Sequence, residues 1–425
     1  MTHQLGRLLI VGAGPAAFQT AALLRPHCSH LGIVSRDSAH WQVRSVRLQQ
    51  GERVQVEVAK ANLSSFAKST GFDSVYEDLN LVQGRWDTVI IATPAYTLVS
   101  VLRDLPVESV KKAKEVVLLS SWFGGHQITQ GYFAQQGLNP NVVVFSNYFA
   151  ATKFEPREHT LRVVTKAVKK RVYAYVSRSE QGVLSLFQEA LDQVDAQVQT
   201  LGNGFSVEGR NITLYVHSAL FINPFSLDHI FSSSTDKKYM YKLFPEGPIT
   251  PATMQTLVSL WLDMSSLIQK LGGESFNLLQ FLNDDNYPVR EESLSRQQID
   301  SFMDCAPIEQ EYRLYVRYSA ILVDPFSTPD EDGRYFDFSA VPFAKGNLDK
   351  EQWPRIPSED LHALYWLQSL ATHFDIEFAA VRRVLSVFER WLSSRELTNP
   401  FIEMNQGQSS QSLVWLPSTL GVNNE

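Results

Sequence analysis

The chain has 425 residues, a net charge of −7, and 44% hydrophobic against 20% charged side chains, the composition of a folded globular protein with room for two or three domains. No apolar run reaches the roughly 20 residues of a membrane span, and no basic-then-apolar signal pattern opens the chain, so a cytoplasmic protein is expected. The acidic balance argues against nucleic acid or a membrane surface as partner, and Cys28 and Cys305 are too few for a disulfide framework or a zinc cage.

In chain order, the first element is the apolar run Leu8 to Val11, which feeds Gly12-Ala13-Gly14-Pro15-Ala16-Ala17 and a helix from Pro15 to about Leu24. Gly12 permits the tight turn out of the strand, Gly14 lets the backbone approach a pyrophosphate, and Ala17 allows close packing of helix on strand. Pro15 suits the first turn, where its missing N–H would be an orphan. The free N–H groups of that turn, together with the helix dipole, favour phosphate. The next run, Gly32-Ile33-Val34, ends on Ser35 and Arg36, where an NAD site carries an acid for the ribose hydroxyls. A hydroxyl and a guanidinium suit a 2′-phosphate, so the pattern predicts NADP(H), with Asp37 as the residue that opposes it.

Asp87–Ala92, Val116–Ser120 and Val142–Ser146 read as further buried strands separated by helical segments, which predicts an α/β fold with a Rossmann-type, doubly wound parallel sheet. Ligands bind outside the carboxyl ends of such strands, so Thr93-Pro94-Ala95, Trp122 to His126 and Asn147-Tyr148 are expected to line one crevice. Thr93 and Pro94 then border the ribose and adenine side, while Phe123, Gly124 and Gly125 approach the nicotinamide end by backbone. Leu161–Ser177 and Gln197–Glu208 read as strands around a helix at Gln181–Gln193, which ends a cofactor-binding domain near residue 205. The basic run Lys166 to Arg171 reads as a solvated sheet edge.

Residues 206–425 read as a mainly helical substrate domain. Thr250-Pro251 starts one helix that Gly272-Gly273 stops, Ser358 caps a second, and Phe378 to Trp391 carry the apolar stripe of a third. Residues 323–357 read as a long loop or lid, and the Gln- and Ser-rich tail from about Asn405 is expected to fray. His217 is the candidate proton-transfer group, on a helix just past the domain boundary; a hydrogen-bonded core histidine is the competing reading. No His and Cys cluster has ligand spacing, His27 and His30 read as solvated, and no metal site is expected.

Three segments carry a family resemblance: His217 to Pro224 (HSALFINP), Lys238 to Thr250 (KYMYKLFPEGPIT) and Arg317 to Phe326 (RYSAILVDPF). Together they resemble the opine metallophore dehydrogenases, over essentially the whole chain. The resemblance implies NADPH-dependent reductive condensation of a 2-oxo acid, pyruvate or 2-oxoglutarate, with the primary amine of a histidine-derived, aminobutyrate-extended intermediate. The product would be a nicotianamine-like metal chelator, and a homodimer acting on small molecules is expected. It also implies that His217 is the general acid and base and that an aspartate orients it. Asp324 is the candidate, with Asp228 and Asp304 competing. Tyr241 and Lys242 are candidates to hold the substrate through hydroxyl and ammonium, and Asn147 and Lys153 to face the 2-oxo acid.

One departure concerns the cofactor. The family supports its 2′-phosphate arginine with a lysine a few residues on, whereas this chain has none between Arg36 and Lys60, so His40 or Arg44 would substitute. Two readings compete with the opine assignment: another Rossmann-type NADP(H) dehydrogenase of a 2-oxo acid that uses a lysine as proton donor, and a non-catalytic NADP(H) sensor.

Overall fold

Short β-branched and leucine-rich runs with no polar side chain on either face can be buried only inside a sheet covered on both sides, and the strands of the first half form such a sheet. In a computed structural model that describes residues 4–178, 182–234, 236–285, 288–322, 341–348 and 352–416, the chain divides into two units. One runs to Arg210 and is rejoined from Gln411; the other is Asn211–Ser410.

The strands of the first unit are β1 (Arg7–Val11), β2 (His30–Val34), β3 (Val54–Val58), β4 (Lys68–Thr70), β5 (Ser74–Tyr76), β6 (Thr88–Ile91), β7 (Glu115–Leu118), β8 (Asn141–Phe145), β9 (Ala150–Phe154), β10 (Arg162–Val168), β11 (Arg171–Val176) and β12 (Gln197–Thr200). Eight of them form one sheet in the order β12-β11-β8-β7-β6-β1-β2-β5, and four form a second in the order β4-β3-β10-β9. The large sheet is parallel from β5 across to β8, as expected, but β11 pairs antiparallel with β8 through Ala174 and Phe145. Its helices are α1 (Pro15–Leu24), α2 (Ala39–Gln49), α3 (Leu98–Asp104), α4 (Val107–Val110), α5 (Gly125–Gln135), α6 (Gly182–Asp192) and α7 (Gly204–Glu208).

Two expectations for this half are corrected. Leu161–Ser177 is strand as expected, β10 and β11 in different sheets, but Gln197–Glu208 is a strand followed by the short helix α7, capped by Asn203 through the Ser206 N–H at 3.1 Å. The asparagine cap supplies the acceptor that turns the chain into a helix there. The basic run Lys166–Arg171 is not an edge, because β10 is paired on both sides and β11 likewise. Within it Lys166 and Lys170 are exposed, whereas Lys169 is half-buried, and burial pulls its ammonium down to about 8. Cys28 is buried and Cys305 half-buried, both as free thiols.

The second unit is built from α8 (Thr213–Phe221), α9 (Pro224–Ile230), α10 (Pro251–Lys270), α11 (Leu278–Asp284), α12 (Arg296–Asp300), α13 (Pro307–Leu322), α14 (Arg355–His373), α15 (Ala379–Ser393) and α16 (Pro400–Leu413). Helix α10 begins where the sequence places it. Thr250 accepts from the Thr253 N–H at 3.1 Å while Thr253 Oγ1 accepts from the Thr250 N–H at 2.8 Å, a reciprocal cap of about 1 kcal/mol. Its apolar face packs against α8, α13 and α15, and α14 packs on α8.

Ser358 does not cap α14. Ile356 is extended and Pro357 takes the first turn, so Ser358 lies inside the helix with its hydroxyl donating to the Pro354 carbonyl at 2.7 Å. The tail does not fray at Asn405, which is buried with its amide against the Phe401 carbonyl at 2.6 Å, and α16 continues to Leu413. Of the expected lid, residues 341–348 and 352–357 are described. Met240 and Val341 share a backbone hydrogen bond of 2.9 Å there, and Asn347 bridges to Gln352. No described helix is long and apolar enough to cross a membrane.

Candidate active site

The glycine loop in the first unit is built as its sequence requires. Gly12 has φ +122°, and a Cβ there would lie 2.5 Å from the Ala92 carbonyl oxygen, so no other residue fits between β1 and β6. Its N–H donates to the Val34 carbonyl at 2.7 Å, which ties the turn to β2. At Gly14 the Cβ direction is open space, and α1 starts there without a side-chain cap, with Pro15 in its first turn. The N–H groups of Ala16 and Ala17 have no intrahelical carbonyl to bond, as in the helix starts that hold a pyrophosphate, and Ala17 is fully buried against the sheet.

At the end of β2, Ser35 is half-buried and Arg36 exposed. Asp37, which opposed a 2′-phosphate, accepts from the Gln42 amide at 2.8 Å and so has a partner on α2. The two substitutes for the missing lysine differ. Arg44 lies over the Phe154 ring at 3.9 Å, half-buried, and burial lowers its pKa, so it is a packed group. His40 remains exposed in the first turn of α2, with Nδ1 3.3 Å from Nδ1 of His159.

At the carboxyl ends of the next strands, Thr93 accepts a hydrogen bond from the Thr97 hydroxyl at 2.9 Å, and Pro94 is exposed beside it. The loop after β7 corrects the expectation for Phe123 and Gly124. The Phe123 ring is buried against Phe205 at 5.4 Å, and the backbone donors are already used. Gly124 N–H donates to Glu208 at 2.7 Å, Gly125 N–H to the Trp122 carbonyl at 2.9 Å, and His126 N–H to Glu208 at 2.8 Å. What Gly124 leaves open is space: φ is +88° and nothing lies within 4 Å of its Cβ direction. Asn147 is half-buried in the loop after β8. Lys153 alternates with Thr152 and Phe154 on β9 and stands on the exposed face of the second sheet.

In the second unit, α8 is buried at every position from Leu214 to Phe221 except His217, whose side chain is 21% exposed. That single opening separates it from a core histidine. Its Nε2 lies 3.3 Å from the Tyr241 hydroxyl, and its Nδ1 lies 3.4 Å from Asp360 Oδ1 on α14. Phe221, one turn on, packs at 5.0 Å against the imidazole and 5.8 Å against Tyr241, which limits both rings to this arrangement.

Asp360 is 5% exposed, and its Oδ2 is buried with no hydrogen-bond partner among the described residues. A half-satisfied buried carboxylate costs on the order of 1–3 kcal/mol, and among the described residues the His217 imidazole is the group that faces it. Next to it, burial pushes the Glu359 carboxyl up against the opposing effect of Arg355, whose Nε is 2.8 Å away.

The aspartates considered from sequence fare differently. Asp228 accepts from the Trp391 indole at 2.7 Å and pairs with Arg395, Asp304 is exposed on a 3₁₀ turn, and Asp324 lies outside the described residues. Lys242 pairs with Glu246 at 3.3 Å rather than with the histidine. The described structure thus assembles Tyr241, His217 and Asp360; of these, sequence reasoning missed Asp360. Its only sequence signal was an acid on the apolar side of a helix, next to Leu361 and Leu364.

The chain matches the family model described as staphylopine dehydrogenase over residues 6–410. A pseudopaline synthase of Pseudomonas aeruginosa is 37% identical over 395 residues, 92% of this chain and 91% of that one. A staphylopine synthase of Staphylococcus aureus is 34% identical, over 91% and 90% of the two chains. A solved structure of yersinopine dehydrogenase with NADP+ bound superposes with a TM-score of 0.86 at 30% identity, over 97% of this chain and 99% of that one. With the phosphate-type glycine loop in one unit and the Tyr241–His217–Asp360 group in the other, these matches place the chain in the staphylopine dehydrogenase family, among the opine-forming oxidoreductases.

Proposed function

We propose that the chain is an NADPH-dependent dehydrogenase that joins a 2-oxo acid, pyruvate or 2-oxoglutarate, to the primary amine of a histidine-derived, aminobutyrate-extended intermediate, giving a nicotianamine-like metal chelator. The observation that carries this reading is His217, held between a tyrosine hydroxyl and a buried carboxylate on a helix otherwise closed to solvent. Family membership supports the reaction class.

Attack of the amine on the keto carbon gives a carbinolamine, and loss of its hydroxyl as water requires a proton. His217 Nε2 is the donor, and Tyr241 hydrogen-bonds to the same nitrogen and orients the exchange. The negative Asp360, facing Nδ1, stabilises the imidazolium and keeps the ring from turning. In the reverse direction the same nitrogen takes the proton back. Bound NADPH supplies the hydride that reduces the C=N bond, leaving a secondary amine. The cofactor would be held by the N–H groups of Ala16 and Ala17, the open face at Gly14, Thr93, and Ser35 with Arg36 at the 2′-phosphate.

The assay that tests this is NADPH consumption with each oxo acid and the aminobutyrate-extended histidine amine. Turnover with one of the two oxo acids is the expected result; no consumption with either sinks the assignment. For the cofactor, Arg36→Ala should raise the KM for NADPH by roughly 10- to 100-fold, the loss of a charge-assisted pair, and leave NADH nearly unchanged. Equal kcat/KM values for NADH and NADPH in the wild-type enzyme would remove the role of Arg36.

A further inference from the structure

Glu208 is fully buried at the end of α7, yet no arginine or lysine accompanies it among its hydrogen-bond partners in the described residues. Instead four donors converge on its two oxygens. Oε1 accepts from the Ser121 hydroxyl at 2.8 Å and the His126 N–H at 2.8 Å; Oε2 accepts from the Gly124 N–H at 2.7 Å and lies 2.9 Å from His126 Nδ1. All four belong to residues 121–126, the turn between β7 and α5. A carboxylate at the start of an eleven-residue helix also meets the positive end of its dipole. Burying a charge is expensive unless every lone pair is used, and here the two oxygens are supplied with donors.

The position of that turn gives the network a consequence. In the order β8-β7-β6-β1-β2-β5 the pyrophosphate loop follows β1 and the 2′-phosphate group Arg36 follows β2, so the adenosine half lies on the β2 side. The nicotinamide half extends the other way, over the ends of β6 and β7, where Gly124 has an open Cβ direction and φ +88°. The His126 ring is itself locked, 4.6 Å from Phe205 and 5.3 Å from Tyr175, and any side chain at Gly204 would meet it at 2.6 Å.

We infer that Glu208 is a positioning residue for the nicotinamide end of the cofactor site, holding the Gly124 turn in the one conformation that leaves its face open. The inference rests on the NADPH reading above. Glu208 stands two residues before the unit boundary at Arg210.

Glu208→Gln separates this role from bulk stability. An amide has a single acceptor oxygen. The Ser121 hydroxyl can rotate and His126 can change tautomer, but the N–H of Gly124 or of His126 is left facing an NH₂ group, and the turn must move. NADPH binding, followed by nicotinamide fluorescence, should weaken about tenfold, as for one lost hydrogen bond to a charged group. Adenosine 2′,5′-bisphosphate, which has no nicotinamide, should bind within about twofold of wild type by calorimetry. Glu208→Asp keeps both acceptor oxygens and should fall between the two. If Glu208→Gln is insoluble, Ser121→Ala, which removes one donor, is compared on the same two ligands, with NADPH alone weakened.

Unchanged NADPH affinity, or equal losses for both ligands, would overturn the inference. A wild-type protein that binds neither ligand would instead overturn the NADPH reading, and the inference with it.

Discussion

His217→Ala should lower kcat/KM for the condensation by roughly 10²- to 10⁴-fold, the range of a positioned general acid, while leaving NADPH affinity within about twofold. The two readouts belong to different parts of the chain. The phosphate loop and Arg36 lie in the first unit, and the imidazole sits on α8 in the second, where it touches Phe221, Tyr241 and Asp360. Truncation removes the proton donor and opens a small space beside Phe221, with little loss of core because the ring is part-exposed. Steady-state rates with saturating oxo acid, set against an NADPH titration, check both halves. Turnover retained to within a few-fold would favour a dehydrogenase with a different proton donor.

The second large effect is expected from Asp360→Asn. The change is isosteric, but it removes the charge that stabilises the imidazolium and allows the amide to donate to Nδ1, which fixes the wrong tautomer at Nε2. A loss on the order of 10²- to 10⁴-fold in kcat follows, with KM values nearly unchanged. The stability should move the other way. Asp360 Oδ2 is buried without a partner among the described residues, and neutralising a half-satisfied buried carboxylate costs the fold nothing, so the melting temperature should stay level or rise. Activity lost together with several degrees of melting temperature would show that Asp360 holds α14 on α8 rather than orienting the histidine.

The glycine loop after β1 was legible in the sequence because its requirements are local. A glycine with positive φ, a small residue under a helix and a proline in a first turn are each decided by sterics within a few residues. The cap of α10 and its stop at Gly272, with φ +70°, were readable for the same reason. His217 was readable as a polar residue in an apolar helical run, though only burial showed it to be the open position. Asp360 was not, since its pairing depends on how α14 crosses α8, and no local pattern states which helices will touch.

Glu208 was hidden differently. Its neighbourhood scans as a strand, and a carboxylate whose partners lie in a turn far earlier in the chain leaves no periodic mark. Lys169 shows the converse error: a run of basic residues suggests solvent, yet Lys169 is half-buried in the turn between β10 and β11, its N–H on the Phe149 carbonyl at 2.9 Å.

The return of the chain to the first unit determines what that unit is. Trp415 packs edge-to-face on Tyr132 at 5.1 Å, its indole donates to Gln135 at 2.9 Å, and its carbonyl sits where a side chain at Gly131 would come within 2.0 Å. The helical unit is therefore an insertion between two stretches of one α/β unit. A fragment cut at Arg210 is an incomplete domain, with α5 stripped of the surface that its own distant C-terminal segment covers.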